Sequence, residues 1–541
     1  MASVWARVLD VDVAEIGRQT SFYAVGGDSL SVIKVVAACK EVGITISVTQ
    51  LLKHLVLWKV AASIADGELD VTWPRATLSQ GIVDSIVSQN NGILEVDNCL
   101  VYPVTPLQAG MVSATLSNPS SYLMQIPMRT KQESNMANLC DAFRQIVRTN
   151  DILRTTFVTS TSGIYQVIHP ATDEFKVARA STIDVDEFLR LDYARGFTIG
   201  DAYFVRLTIV GDQSCVLTIH HALYDGWTVS MIMSDLHDAM HGNTMVHRPS
   251  FCDAVDYICA QDKNATQVFW RAYLSGYEPS VVGTHQGKPF PNEHDNTPLS
   301  MISQLPLAEI TAAARRVKLT VAELTKLAWA NTLRKYTRQN DVVFGCVMAN
   351  RNIPIRDADK ILGPLLSTIP CRVTFDDSLS TEQWIDVVIA ERSTVVAHAH
   401  ASLLDIKRWS DIEGELFDTL FVFQNMPRED VTSNIEVLVS SNDTRFDTGH
   451  TFDLMVTPKT DALLLQAAHD PNRLDYEQAR WMLHEFDHSI TQLVQVFGTD
   501  ITLSTLWSLS PKQLDVIQSA SFGPQVPLQY ELLHHAFEER A

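Results

Sequence analysis

The sequence predicts a small all-α domain followed by a larger α/β (α+β) unit with two lobes. Apolar residues recur at helical spacing through the first 66 residues, which is typical of a small helical domain. From residue 101 onwards, short apolar strands alternate with helical segments, as in α/β proteins. This alternation occurs twice, over two stretches of similar length. We therefore expect two lobes with a ligand-binding cleft between them.

The composition excludes several classes of protein. The chain has 541 residues, of which 46% are hydrophobic and 19% charged, as in ordinary globular proteins. Its net charge of −21 argues against a nucleic-acid partner, because phosphate contacts need a basic surface. No secretion signal is visible, and no apolar stretch approaches the ~20 residues that cross a bilayer. We expect a cytoplasmic protein without a membrane partner.

The cysteines predict neither disulfides nor a zinc site. All eight are scattered, without the Cys-x-x-Cys spacing of metal-binding motifs. Scattered, buried thiols are expected in a reducing compartment. We therefore expect no metal site in this chain.

The elements follow one another in an order that predicts domain boundaries. We place a helical domain at 1–68, a linker at 69–98, two lobes at 99–275 and 276–512, and a second linker at 513–541. Period-2 and continuous apolar patterns predict strands at 122–128, 154–158, 165–168, 204–210, 215–220, 299–305, 341–348, 416–423 and 462–468. Helical periodicity predicts helices at 136–149, 251–276, 308–316, 321–337, 381–398 and 476–496.

A glycine-rich turn precedes the second helix of the small domain. The turn reads Gly26-Gly27-Asp28-Ser29, and the helix runs to about residue 41, with Gly43 placed as its C-cap. One interpretation is a turn followed by an N-cap. The other is that Ser29 lies at the positive end of a helix as the attachment point of a phosphate-bearing group.

Paired histidines end the strand predicted at 215–220. Successive strand side chains point to opposite faces, so His220 and His221 cannot both face one cavity. The pair could satisfy core backbone groups, bind a metal, or supply a general base, because neutral imidazole accepts a proton near working pH. The metal interpretation is weak because no third ligand stands at a suitable spacing. Asp225 would be a buried carboxylate in need of a cation, and Gly226 permits a tight turn.

The motif around Ser29 resembles the carrier (thiolation) domain of nonribosomal peptide synthetases. The resemblance rests on residues 22–30, Phe-Tyr-Ala-Val-Gly-Gly-Asp-Ser-Leu. It implies a four-helix domain that carries 4′-phosphopantetheine covalently on Ser29. It also implies a phosphopantetheinyl transferase as partner and acyl, aminoacyl or peptidyl thioesters as substrates.

The histidine motif resembles the HHxxxDG signature of condensation domains, which are relatives of chloramphenicol acetyltransferase. Further segments resemble other motifs of that family, namely 105–108, 148–157, 341–345, 350–351, 361–370 and 417–425. The resemblance implies that His221 is the active histidine in a tunnel between the lobes, while His220 is structural. It also implies that Asp225 is a structural anchor, with Arg351 as its preferred partner and Arg154 as the second choice.

The same resemblance suggests backbone oxyanion donors, a sub-type and neighbouring domains. The amides of Gly226 and Trp227 are candidate donors to a developing oxyanion. Because both histidines are present, heterocyclising relatives and some terminal, cyclising relatives are disfavoured. Residues 532–541 resemble the opening of an adenylation domain, which makes His534-His535 a chance repeat.

We expect peptide-bond formation between a donor on this carrier and an amine on a downstream carrier, with adenylation domains upstream and downstream. The alternatives are a terminal domain that releases product by intramolecular cyclisation and a non-catalytic recruitment or scaffold didomain.

Overall fold

The structure is a computed structural model. It describes every residue except 10, 23, 24, 26, 28, 45, 47–49, 52, 53, 66–72, 91–98, 131–133, 173, 174, 183, 284–298, 352, 425–434, 439–448, 524–533, 539 and 541.

The first part of the chain is helical, as predicted. Its described helices are α1 (Ala2–Leu9), α2 (Ser29–Glu41) and α3 (Leu57–Ala65). Trp5 and Phe22 are fully buried at the centre of its core, in an edge-to-face contact with ring centroids 5.0 Å apart. Gly43 has φ +76°, so the predicted C-cap is confirmed. Residues 47–49, 52 and 53 lie outside the described residues, so the four-helix count stays a prediction.

The described strands of the remaining chain form three sheets. They are β1 (Leu100–Pro103), β2 (Leu123–Thr130), β3 (Thr155–Ser160), β4 (Gly163–Ile168), β5 (Ala178–Arg179), β6 (Val205–Val210), β7 (Ser214–His220), β8 (Leu299–Ile302), β9 (Asp341–Met348), β10 (Ser367–Thr374), β11 (Thr419–Phe423), β12 (Ile435–Val437), β13 (Phe452–Pro458) and β14 (Leu463–His469).

The described part of the chain from residue 73 onwards also contains helices. They are α4 (Gln80–Gln89), α5 (Pro106–Ser117), α6 (Ser134–Thr149), α7 (Val185–Arg195), α8 (Gly226–Met240), α9 (Phe251–Cys259), α10 (Lys263–Tyr273), α11 (Leu307–Arg316), α12 (Val321–Thr337), α13 (Thr381–Ala397), α14 (Leu403–Trp409), α15 (Tyr476–Val496), α16 (Pro511–Ser521) and α17 (His535–Glu538). The single helix predicted over 251–276 is wrong. Asp262 caps a new helix by accepting hydrogen bonds from the amides of Asn264 and Ala265, which separates α9 from α10.

The first lobe is built on a five-stranded sheet with the order β12-β2-β7-β6-β5. β7 lies in its centre, where every residue is buried, and pairs antiparallel with β2 on one side and β6 on the other. This central position explains the continuous apolar sequence of β7. A three-stranded sheet with the order β1-β4-β3 belongs to the same half of the chain.

The second lobe contains a six-stranded sheet with the order β10-β9-β11-β13-β14-β8. Its core packs α12 and α15 against this sheet, around Trp329, Phe452 and Phe486. Two α/β lobes with separate cores agree with the predicted fold class.

Core packing departs from the predicted boundary between 275 and 276. Trp270 and Leu274 pack with Val343 and Phe417 of the second lobe. In the other direction, Ile361 packs in the first lobe's core, and β12 joins the first lobe's sheet. The lobes therefore exchange chain segments, and the boundaries listed above stay predictions.

The stretch predicted as a linker docks on the first lobe and contains a helix that periodicity did not predict. Ile86 of α4 is fully buried against Val158 and Val167 of the three-stranded sheet. Upstream, the Trp73 indole donates a hydrogen bond to the carbonyl of Pro354 at 3.2 Å. Arg75 forms an ion pair with Asp256 at 3.1 Å.

None of the eight cysteines forms a disulfide in this structure. Among the described residues, no helix has the length and apolar character needed to span a bilayer.

Candidate active site

His220 is a buried structural group at the end of β7. Its Nδ1 accepts a hydrogen bond from the Ala222 amide at 3.0 Å, so the ring proton lies on Nε2 and is donated to Thr115 Oγ1 at 2.7 Å. The ring also meets Phe204 edge to face, with centroids 5.3 Å apart. Burial, with a smaller contribution from the neighbouring His221, lowers the pKa of His220 to about 3. His220 is therefore neutral and points into the core.

His221 is half-buried and turns the other way. Its Nδ1 lies 2.9 Å from the carbonyl oxygen of Tyr224, which can only accept, so Nδ1 carries the proton. Nε2 keeps its lone pair and has no hydrogen-bond partner in the described part of the chain. Burial lowers the pKa of His221, which keeps the imidazole neutral at pH 7. A neutral ring with a free Nε2 has the form that a general base requires.

Asp225 anchors the turn after the histidines to a distant segment. Both carboxylate oxygens accept from Nη2 of Arg351, at 2.6 and 2.7 Å. The same carboxylate accepts from the Thr228 amide at 2.9 Å, as the N-cap of α8, and from the Leu365 amide at 3.2 Å. Arg351 is therefore the partner of Asp225, as preferred from the sequence.

The second-choice partner, Arg154, is elsewhere. It donates to the backbone carbonyls of Val147 and His169. Its place in the family-like motif therefore reflects a local structural role, and the alternative Asp225–Arg154 pairing is wrong.

Two amides at the start of α8 are available to a ligand. Thr228 donates to the Asp225 cap, but the amides of Gly226 and Trp227 precede the first intrahelical bond. Gly226 is exposed and Trp227 half-buried. The guanidinium carbon of Arg351 lies 5.9 Å from the centroid of the Trp227 ring, so this side chain packs beside the ion pair.

The first family-like motif, at 105–108, contacts the turn that contains the histidines. Thr105 caps α5 in a capping box with Gln108. The buried Gln108 amide then donates to the carbonyl of Ala222 at 3.0 Å. This contact ties α5 to the residue that follows His221.

Sequence reasoning missed the residues that orient the two histidines. Thr115 lies 105 positions from His220, and nothing in its local pattern marks it. Tyr122 and Tyr224 contact His221 through their carbonyls and rings. Tyr224 could have been found from its position inside the histidine motif. Finding Tyr122 would have needed the pairing of β2 with β7, which the sequence does not fix.

The carrier motif is only partly described. Ser29 is the first residue of the 13-residue helix α2, while Gly26 and Asp28 lie outside the described residues. Gly27 has no room for a side chain, because an added Cβ would collide with the ring and carbonyl of Phe22. The close packing of Gly27 on Phe22, followed by a helix that starts at Ser29, is compatible with attachment of a phosphate-bearing group at Ser29.

The ligand atoms of His534, His535 and Glu538 lie within 4.8 Å of one another, on the short helix α17. Their surroundings at 524–533 lie outside the described residues, as do 539 and 541 of the segment that resembles an adenylation domain. Asn425 of the last family-like motif lies outside them as well.

Comparison with known families agrees with this geometry. Residues 99–515 match the family model described as condensation domain. The chain belongs to the condensation-domain family. Residues 1–63 precede the condensation domain and match the model described as phosphopantetheine attachment site, so the cofactor of this helical domain is 4′-phosphopantetheine.

Relatives of the condensation domain include fungal synthetases and solved structures. The nonribosomal peptide synthetase dtxS1 of Metarhizium robertsii is 25% identical over 96% of this chain, which spans only 6% of the relative's length. "The crystal structure of holo T3CT" superposes with a TM-score of 0.61 at 21% identity, covering 80% of this chain and 100% of that one. The condensation domain from Monacolin K polyketide synthase MokA gives 0.57 at 16%, covering 75% and 100%. The structures support the fold alone.

His220 makes the stability of the condensation domain depend on pH. Its pKa is about 3 in the folded state, against about 6.5 in an unfolded chain. Between these values only the unfolded state binds the proton, so stability falls as pH drops from about 6.5 towards 3, by up to about 1.4 kcal/mol per pH unit. Denaturant unfolding at pH 4 to 6 should show a shallower fall for His220→Gln than for the wild type. A control at the exposed His247, His247→Gln, should keep the wild-type slope, and parallel curves for His220→Gln and the wild type would contradict the prediction.

Proposed function

We propose that the chain is a carrier–condensation pair that forms amide bonds in nonribosomal peptide synthesis. The observation that carries the proposal is the state of His221. Its Nδ1 proton is fixed by the Tyr224 carbonyl, burial lowers its pKa, and Nε2 is left with a free lone pair. A base of this kind accepts a proton from an attacking amine at neutral pH.

Ser29 is the residue that we propose holds 4′-phosphopantetheine, through a phosphodiester at the start of α2. When bound, this group supplies a thiol that carries the acyl or peptidyl donor as a thioester. Because the carrier precedes the condensation domain in the chain, we propose that it presents the donor.

The reaction is an acyl transfer. The acceptor nitrogen forms a bond to the thioester carbonyl carbon, the carbon–sulfur bond breaks, and the thiol leaves. His221 Nε2 takes the proton of the attacking amine and returns it to the leaving sulfur. The amides of Gly226 and Trp227 are positioned at the positive end of α8, where they would stabilise the charge that develops on the carbonyl oxygen. Asp225 and Arg351 hold the start of that helix.

The remaining partners follow from this activity. An adenylation domain upstream would load the carrier, and a downstream carrier, loaded by its own adenylation domain, would supply the amine. A phosphopantetheinyl transferase would modify Ser29. We place the protein in the cytoplasm, where the thiol of the arm stays reduced.

Loading and transfer test the proposal. The 541-residue chain, treated with a phosphopantetheinyl transferase and aminoacyl-coenzyme A, should gain one aminoacyl-phosphopantetheine in intact mass, and Ser29→Ala should gain none. Adding a panel of aminoacyl-N-acetylcysteamine acceptors should then give dipeptidyl products. The matched control is Ser31→Ala, two residues along the same helix, which should load like the wild type. A loaded wild-type chain that forms no product with any acceptor would overturn the assignment.

A further inference from the structure

Tyr122 has an unusual backbone for a bulky residue. Its φ is +58°, in the left-handed region that glycine adopts easily and aromatic residues rarely enter. The residue is nonetheless 47% exposed, so core packing does not account for the conformation. A strained conformation at an exposed ring persists only where the surroundings impose it, and such positions cluster at functional sites.

Hydrogen bonds hold the loop before Tyr122 in place. Ser121 donates its amide to the Asn118 carbonyl at 2.9 Å, and Ser120 Oγ donates to the Tyr193 carbonyl of α7 at 2.7 Å. Beyond the loop, Leu123 is opposite His220 in the β2–β7 pair. The turn is therefore fixed at both ends, and Tyr122 absorbs the change of direction between them.

The carbonyl and the ring of Tyr122 both contact His221. The carbonyl accepts the backbone N–H of His221 at 2.8 Å, which extends the β2–β7 ladder by one bond. The ring meets the imidazole edge to face, with centroids 6.3 Å apart and planes at 75°. Tyr224 stacks on the imidazole at 4.4 Å and holds Nδ1 with its own carbonyl. The two tyrosines thus restrict the imidazole on two sides and leave Nε2 free.

We propose that Tyr122 is a positioning residue for His221, whose exposed ring keeps the imidazole in the orientation that presents Nε2 to the substrate. This inference rests on the function proposed above. In this proposal the strained backbone of Tyr122 serves to orient His221 and does not stabilise the lobe. A small misplacement of a catalytic group lowers the reaction rate more than it weakens substrate binding. We therefore expect loss of the Tyr122 ring to lower kcat.

Three substitutions separate the ring from the strain. Tyr122→Phe keeps the ring, Tyr122→Ala removes the ring and keeps the strain, and Tyr122→Gly removes both. We expect Tyr122→Phe to retain kcat within about twofold, while Tyr122→Ala and Tyr122→Gly both lose roughly 10- to 100-fold, with KM for the acceptor nearly unchanged. The Tm of Tyr122→Gly should nevertheless exceed that of Tyr122→Ala, because glycine relieves the left-handed strain.

A purely structural role gives a different pattern. In that case kcat would follow Tm, and Tyr122→Gly would recover the wild-type rate, which overturns the proposal. Two controls match the changes at Tyr122. Leu191→Ala removes an exposed apolar side chain from the same lobe, and Arg338→Gly relieves the strain of a left-handed residue, φ +57°, at the end of α12. Both should keep wild-type kcat.

The same assay distinguishes this inference from the proposed function. Wild-type rates in Tyr122→Ala and Tyr122→Gly, beside an inactive His221→Ala, would overturn the role of Tyr122 and leave the function standing. Wild-type rates in His221→Ala itself would overturn the function.

Discussion

His221→Ala should lower the rate of amide formation on the loaded carrier by roughly 10²- to 10⁴-fold, the usual contribution of a general base. Nε2 is the group that we expect to take the amine proton, and alanine offers no replacement. Folding should be unaffected, because His221 is half-buried and its side-chain hydrogen bond runs to a carbonyl of its own turn. The measurement is single-turnover product formation, followed by intact mass of the carrier.

The pH dependence distinguishes a base from a group that only orients the amine. Because burial lowers the pKa of His221, the imidazole stays neutral on acidification until the pH is below its ordinary value near 6.5. The acceptor amine titrates as well, but its contribution cancels in the ratio of wild-type to His221→Ala rates. That ratio should stay constant down to about pH 6.5 and fall only at lower pH. A ratio independent of pH throughout would contradict the base assignment.

Asp225→Ala should destabilise the condensation domain by about 3–5 kcal/mol, because it leaves the buried guanidinium of Arg351 without its counter-charge. The N-cap of α8 is lost at the same time. Asp225→Asn keeps an acceptor for the cap and removes only the charge, so it provides a folded variant if the alanine variant does not fold. Urea unfolding of each variant measures the loss in free energy.

An exposed ion pair supplies the control for this prediction. Asp141 pairs with Arg144 at 2.7 Å, with 76% of its side chain exposed, so Asp141→Ala should cost less than about 1 kcal/mol. The double variant Asp225→Asn with Arg351→Met removes both charges and should recover part of the loss. Equal losses for the buried and the exposed aspartate would show that the Asp225–Arg351 pair is not an anchor.

Local patterns predicted the fold class and the central motif well. The continuous apolar run before His220, the paired histidines and the Asp-Gly turn all lie within a dozen residues, so their periodicity is visible in the sequence. The sequence also favoured Arg351 over Arg154 as the partner of Asp225, by resemblance to the family. The structure confirms this pairing at 2.6 Å.

Contacts between distant residues were not predictable in the same way. Thr115 bonds His220 across 105 positions, and the contact of Tyr122 with His221 follows from the register of β2 against β7. Register is fixed by which side chains pack together in three dimensions, and a single sequence does not reveal that. β12 has only three residues, too few to show a period of two.

The late arrival of β12 has a consequence for how the protein is made. β2 needs β12 to cover its outer edge, but about 300 residues separate the two strands in the chain. At roughly 5–20 residues per second, a ribosome takes on the order of 15–60 s to synthesise that interval. During this time the nascent first lobe exposes an unpaired strand edge, which is a template for pairing with neighbouring chains. Slower elongation would lengthen this exposure and increase aggregation during translation.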